Sequence, residues 1–64
     1  MPLFASWELN TAARRAGVTE REFVEDAFPH ASDNEIDNQL MLAVGGMLSA
    51  PLAAAIQRQL QKQA

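Results

Sequence analysis

Apolar residues recur along this chain at helical spacing, in blocks separated by glycine, proline and small polar residues, with no strand-like alternation and no internal repeat. In the first block Leu9, Ala12, Ala13 and Ala16 fall at i, i+3, i+4 and i+7, which is one face of a helix predicted from Trp7 to Ala16. Ser6 supplies the expected N-cap hydroxyl, and Gly17 the left-handed stop. The face is narrow and made mostly of small side chains, so a second helix can approach it closely. The next block follows Thr19, which with Glu22 has the spacing of a capping box, and ends before Pro29. Its apolar side is Phe23, Val24, Ala27 and Phe28; Glu20, Arg21, Glu22, Glu25 and Asp26 form the other.

Ser32 and Glu35 repeat the capping-box spacing, and Asp33 adds negative charge where a helix N-terminus favours it. From there Ile36, Leu40, Ala43, Val44 and Met47 follow one face, while Met41, Leu42 and Leu48 make the segment apolar nearly all round. Such a helix is expected to be buried on several sides. Gly45, Gly46 and Pro51 predict a break or a kink, followed by a fourth helix from Ala50 to about Lys62 with Ser49 as its cap. Leu52, Ile56 and Leu60 line one stripe of that helix. The pattern therefore predicts an all-α fold, a compact three- or four-helix bundle whose first two helices form a helix-turn-helix-like pair.

At 64 residues there is room for one domain spanning 1–64. A core of that size rarely nets more than about 3–5 kcal/mol, and small domains are commonly reinforced by disulfides, a metal or association. The chain has no cysteine, which removes disulfides and thiolate metal sites and leaves association. Charge is unevenly placed. All eight acids lie between Glu8 and Asp37 with three arginines among them, a balance of −5, whereas Arg58 and Lys62 alone give the remainder +2. An acidic surface repels nucleic acid and anionic lipid, so the charge favours a protein partner. Residues 1–9 show no basic stretch followed by a long apolar run, so no secretory signal is expected and a cytoplasmic location is.

Candidate chemistry is sparse. A nucleophilic triad needs a base held by a scaffold, and the only histidine, His30, falls in a short polar loop. Glu22, Glu25 and Asp26 fall on the polar side of a short helix, where no cleft shifts their titration. Acids at positions 33, 35 and 37 imitate the start of a calcium-binding loop, but Asn38 stands where that loop needs glycine and Val44 where it needs glutamate. No catalytic residue, cofactor or metal is implied.

Two resemblances carry more. The stretch from Ala12 to Phe23 looks like a DNA-binding helix-turn-helix: small Ala13, the turn glycine Gly17 four residues later, then apolar Val18 and Phe23. The resemblance implies that the second helix enters the major groove, with Arg14, Arg15 and Arg21 as the DNA-binding candidates. The sequence departs from the family's chemistry there, because Thr19, Glu20, Arg21, Glu22, Glu25 and Asp26 would face DNA with four acids and one arginine, against the phosphate attraction that such domains need. The segment from Asp33 to Gly46 resembles the end of a double-glycine leader peptide, which implies cleavage after Gly46 and release of residues 47–64 as a small cationic amphipathic peptide. Residues 38–57 are uncharged and long enough to cross a bilayer, but the two glycines, Ser49, Pro51 and three amide side chains favour a buried helical hairpin over membrane insertion.

The reading preferred on sequence is a small non-catalytic protein-binding or regulatory subunit, acting through helix faces on a protein partner or on a second copy of itself. Trp7, Leu52, Ile56 and Leu60 are the expected partner-binding residues: an aromatic with a polar N–H, and a stripe on a terminal helix. A helix-turn-helix regulator that binds nucleic acid stands second and a leader with its peptide third.

Overall fold

A computed structural model of the chain describes residues 6–62, with side chains described from Glu8 onward. Four helices follow one another: α1 (Ser6–Ala16), α2 (Glu20–Ala27), α3 (Asp33–Val44) and α4 (Ala50–Gln61), and the described residues contain no strand. The radius of gyration, 10.7 Å, equals the roughly 11 Å expected of a compact chain of this length. The all-α class is therefore observed, in its four-helix form.

The local signals act as their chemistry requires. Thr19 accepts from the Glu22 amide at 3.0 Å while the Glu22 carboxylate accepts from the Thr19 amide at 3.0 Å. Ser32 and Glu35 make the same reciprocal pair at 3.3 and 2.8 Å. Each box occupies backbone donors that the first turn of a helix leaves unmatched. Helices α1 and α3 end alike. After α1, Gly17 takes φ +78°, its amide bonds to the Arg14 carbonyl and that of Val18 to the Ala13 carbonyl. After α3, Gly46 takes φ +82°, its amide bonds to Ala43 and that of Met47 to Leu42. This double bond back into the last turn, closed by a left-handed residue, is the Schellman arrangement, and it makes Gly45 to Ser49 a turn rather than a kink.

Two caps differ from expectation. Ser6 already lies inside α1, so it is not the N-cap. Ser49 has N-cap backbone geometry but caps nothing with its side chain; its hydroxyl donates instead to Gln39 Oε1 at 3.0 Å, fastening the start of α4 to the middle of α3.

Helices α1 and α2 form the centre, each in contact with every other helix, whereas α3 and α4 make no close backbone approach to each other. The core is built from Leu9, Ala12 and Ala13 of α1, Phe23 and Val24 of α2, Ile36 and Ala43 of α3, and Leu52 and Ile56 of α4. The small residues of α1 do what their size allows, bringing α1 against both α2 and α4. Ala16 is exposed, contrary to its place on the predicted face, because it lies at the rim of a shallow cavity where the ends of α1, α2 and α4 diverge. The buried hairpin expected of residues 38–57 does not form. The chain leaves α3, passes the glycine turn, and lays α4 against α1 and α2 instead.

Candidate interaction surface

The partner stripe expected on α4 is used internally. Leu52 and Ile56 have no exposed surface, and Leu60 is partly buried against the same core. A small domain without disulfides draws on the large aliphatic residues that α4 can offer, so Leu52 and Ile56 close the core and Leu60 alone keeps part of its surface. The side chain of Trp7, the fourth expected contact, lies outside the described residues; its backbone is in the first turn of α1.

Exposed apolar surface occurs instead on α3, the helix expected to be covered on several sides. Because α4 does not pack on it, α3 buries only Ile36 and Ala43 fully, and Gln39, Leu40 and Leu42 in part. Met41 is 74% exposed, Val44 79% and Met47, just beyond the Schellman turn, 66%. Met41 and Val44 are three residues apart and share one side of the helix, and the turn returns Met47 to the same end. Isolated exposed apolar side chains are ordinary; here three large ones fall close together in sequence at the end of α3.

The signal for this face was present in the sequence. Asp33, Asp37, Met41 and Val44 occur at i, i+4, i+8 and i+11, a single stripe whose first half is acidic. A stripe opening on two aspartates has to face water, and that directs Met41 and Val44 outward too.

The acidic half of the stripe is tied to α2 by Arg21. Its guanidinium donates to Asp37 through Nη1, lies 3.3 Å from Glu25 on its own helix and 3.7 Å from Asp33. The hydrogen bond to Asp37 raises the Arg21 pKa; partial desolvation opposes this, and the charges of Asp37, Glu25 and Asp33 add to the rise. One cation thus faces three carboxylates, leaving a local balance of −2. The pairs are solvent-exposed, so they orient α2 against α3 more than they stabilise either helix.

For the helix-turn-helix positions, the α1–Gly17–α2 geometry is present and Arg14 and Arg15 are exposed. Arg21 is not available as expected, because it turns toward α3 and three carboxylates hold it. At the N-terminus of α2, Thr19 and Glu22 cap each other and Glu20 accepts from Asn10 Nδ2 at 2.9 Å. What α2 exposes is Glu22, Glu25 and Asp26. No family model, curated protein or solved structure matches this chain.

One open groove lies between the first half of α3 and the α2–α3 connection. It is lined by Phe28, Pro29 and His30 from the α2–α3 connection and by Asn34, Asn38 and Gln39 from α3, and encloses about 670 Å³. Asn34 and Asn38 are one turn apart on α3, and none of Met41, Val44 and Met47 lines this groove. His30 is exposed at its rim. Among the described residues no three His, Cys, Asp or Glu side chains gather to hold a metal ion, and no helix is long and apolar enough to cross a membrane.

Proposed function

We propose that this chain is a small non-catalytic binding subunit that holds a protein partner on the outer face of α3. The observation that carries the reading is the exposure of Met41, Val44 and Met47 near the end of α3, in a chain that buries Leu52 and Ile56 of its α4 stripe completely. Methionine suits such a surface, since its unbranched thioether adapts to the shape of what covers it. The contact surface is thus moved from α4, where the sequence put it, to α3. Work in the cytoplasm accords with a cysteine-free chain.

A second reading, a helix-turn-helix regulator, is favoured by the turn at Gly17 and by exposed Arg14 and Arg15, and opposed by the acidic outer face of α2. The leader reading meets a different difficulty: cleavage after Gly46 would remove Leu52 and Ile56 from the core. One experiment separates the first two. The tagged full-length chain is used to capture partners from its native lysate, with and without nuclease and at low and high salt, beside a Met41→Asp/Val44→Asp double variant and an Arg14→Ala/Arg15→Ala double variant. Protein binding through α3 predicts capture that resists nuclease and is lost only in the first variant. Nucleic-acid binding predicts capture that collapses with salt and is lost only in the second.

A further inference from the structure

We infer that the occupant of the α3 outer face is a basic amphipathic helix of another protein, with apolar side chains on Met41, Val44 and Met47 and lysines or arginines over Asp33 and Asp37. This rests on the protein-binding reading above and adds to it the chemistry of the partner. The two halves of the α3 stripe are in line, and at 1.5 Å per residue Asp33 to Val44 spans about 16 Å, or three turns. A partner helix of similar length, with apolar residues at i, i+3 and i+4 in one half and cations in the other, matches that row position for position.

Charge selects the sign of the partner. Asp33 is only 3.7 Å from Arg21 and its side chain is 92% exposed, so its charge stays open to another cation. From Glu20 to Asp37 there are seven acids and one arginine, a balance of −6, and a field of that sign steers a cationic surface toward the face. A second copy fits less well. It carries the same net −3, so its overall charge repels the acidic face. Three apolar side chains also fall far short of the roughly 800 Å² per partner of a stable interface, so the charged half of the stripe has to contribute.

The test uses the full-length chain and two fluorescently labelled helical peptides with the same leucine pattern, one with lysines and one with glutamates in the polar half, followed by anisotropy. The lysine peptide is expected to bind at least tenfold more tightly than the glutamate peptide. That preference should vanish near 1 M salt, where screening acts within about 3 Å. Met41→Asp/Val44→Asp should abolish binding of both peptides, and Asp33→Asn should weaken the lysine peptide several-fold and leave the glutamate peptide unchanged; circular dichroism confirms that the variants fold. Equal binding of both peptides overturns the inference and leaves docking on α3 intact. So does failure of both peptides while lysate capture still depends on Met41 and Val44. A dimer in sedimentation that Met41→Asp/Val44→Asp dissociates names a second copy as the occupant instead. Failure of the peptides together with capture indifferent to Met41 and Val44 overturns both this inference and the reading beneath it.

Discussion

Gly45 and Gly46 stand side by side, and substitution should separate them. Gly46 holds φ +82°, so Gly46→Ala forces a side chain into the left-handed region and should cost about 1 kcal/mol. Gly45 has φ −82°, and a Cβ there would meet the Leu42 carbonyl oxygen at 3.5 Å, an ordinary contact. Gly45→Ala should therefore be neutral or stabilise by up to about 1 kcal/mol, by narrowing the unfolded ensemble. Urea unfolding of the two variants shows the difference as midpoints displaced in opposite directions, or as one displaced and one unmoved. In the core, Leu52→Ala should remove about 2–5 kcal/mol, enough to unfold a domain of this size, because Leu52 is fully enclosed. Loss of the cooperative thermal transition is the expected observation.

Among the elements, the starts of α2 and α3 and the stop of α1 were readable because each depends on chemistry within four residues, Thr19 with Glu22, Ser32 with Glu35, and Gly17 at φ > 0, whereas at Gly45 to Pro51 the pattern left a turn and a kink both open. Thr19→Ala and Ser32→Ala should each lower stability by about 1 kcal/mol. Ser49 obeys a different rule. It sits where a cap belongs, yet its hydroxyl serves Gln39, a partner ten residues back that no local pattern identifies. In a double-mutant cycle Ser49→Ala and Gln39→Ala should cost less together than the sum of the two, because either change already removes the same bond; two additive effects would show that the bond contributes nothing. Which face of each helix is buried was legible for α2, where Phe23 and Val24 turn inward as their spacing predicts. For α3 the run Leu40 to Val44 offers apolar residues in every direction; the Asp33–Asp37 stripe marks Met41 and Val44 as outward, and the position of α4 leaves them uncovered within the chain.

At the scale of the molecule, that choice separates the expected site from the candidate one. Leu52, Ile56 and Leu60 read as a contact stripe because they are regular and terminal, but the same regularity fits them to the groove between α1 and α2. Arg21 read as a phosphate ligand because it opens α2; the reach of its side chain to Asp33 and Asp37, sixteen residues ahead at the farther, is a tertiary fact. Met41→Asp and Val44→Asp should leave the melting temperature within a few degrees of the parent, since exposed substitutions commonly change stability by no more than about 0.5 kcal/mol. A large fall would mean that these side chains are covered in the folded chain.

The connection from Gly45 to Ser49 joins two helices whose backbones do not meet, while α4 finds its contacts on α1 and α2, from which the whole of α3 separates it in sequence. The peptide link at that turn therefore acts chiefly as a tether, with Leu48 against the core and the Ser49–Gln39 bond as its own contributions to the packing. Residues 1–46 and 47–64, prepared as separate peptides and mixed, should reassemble as a complementing pair, with α4 returning as a guest to the groove that it occupies as part of the chain. Their affinity for each other would measure what α4 contributes to the whole, free of the chain entropy that the tether removes.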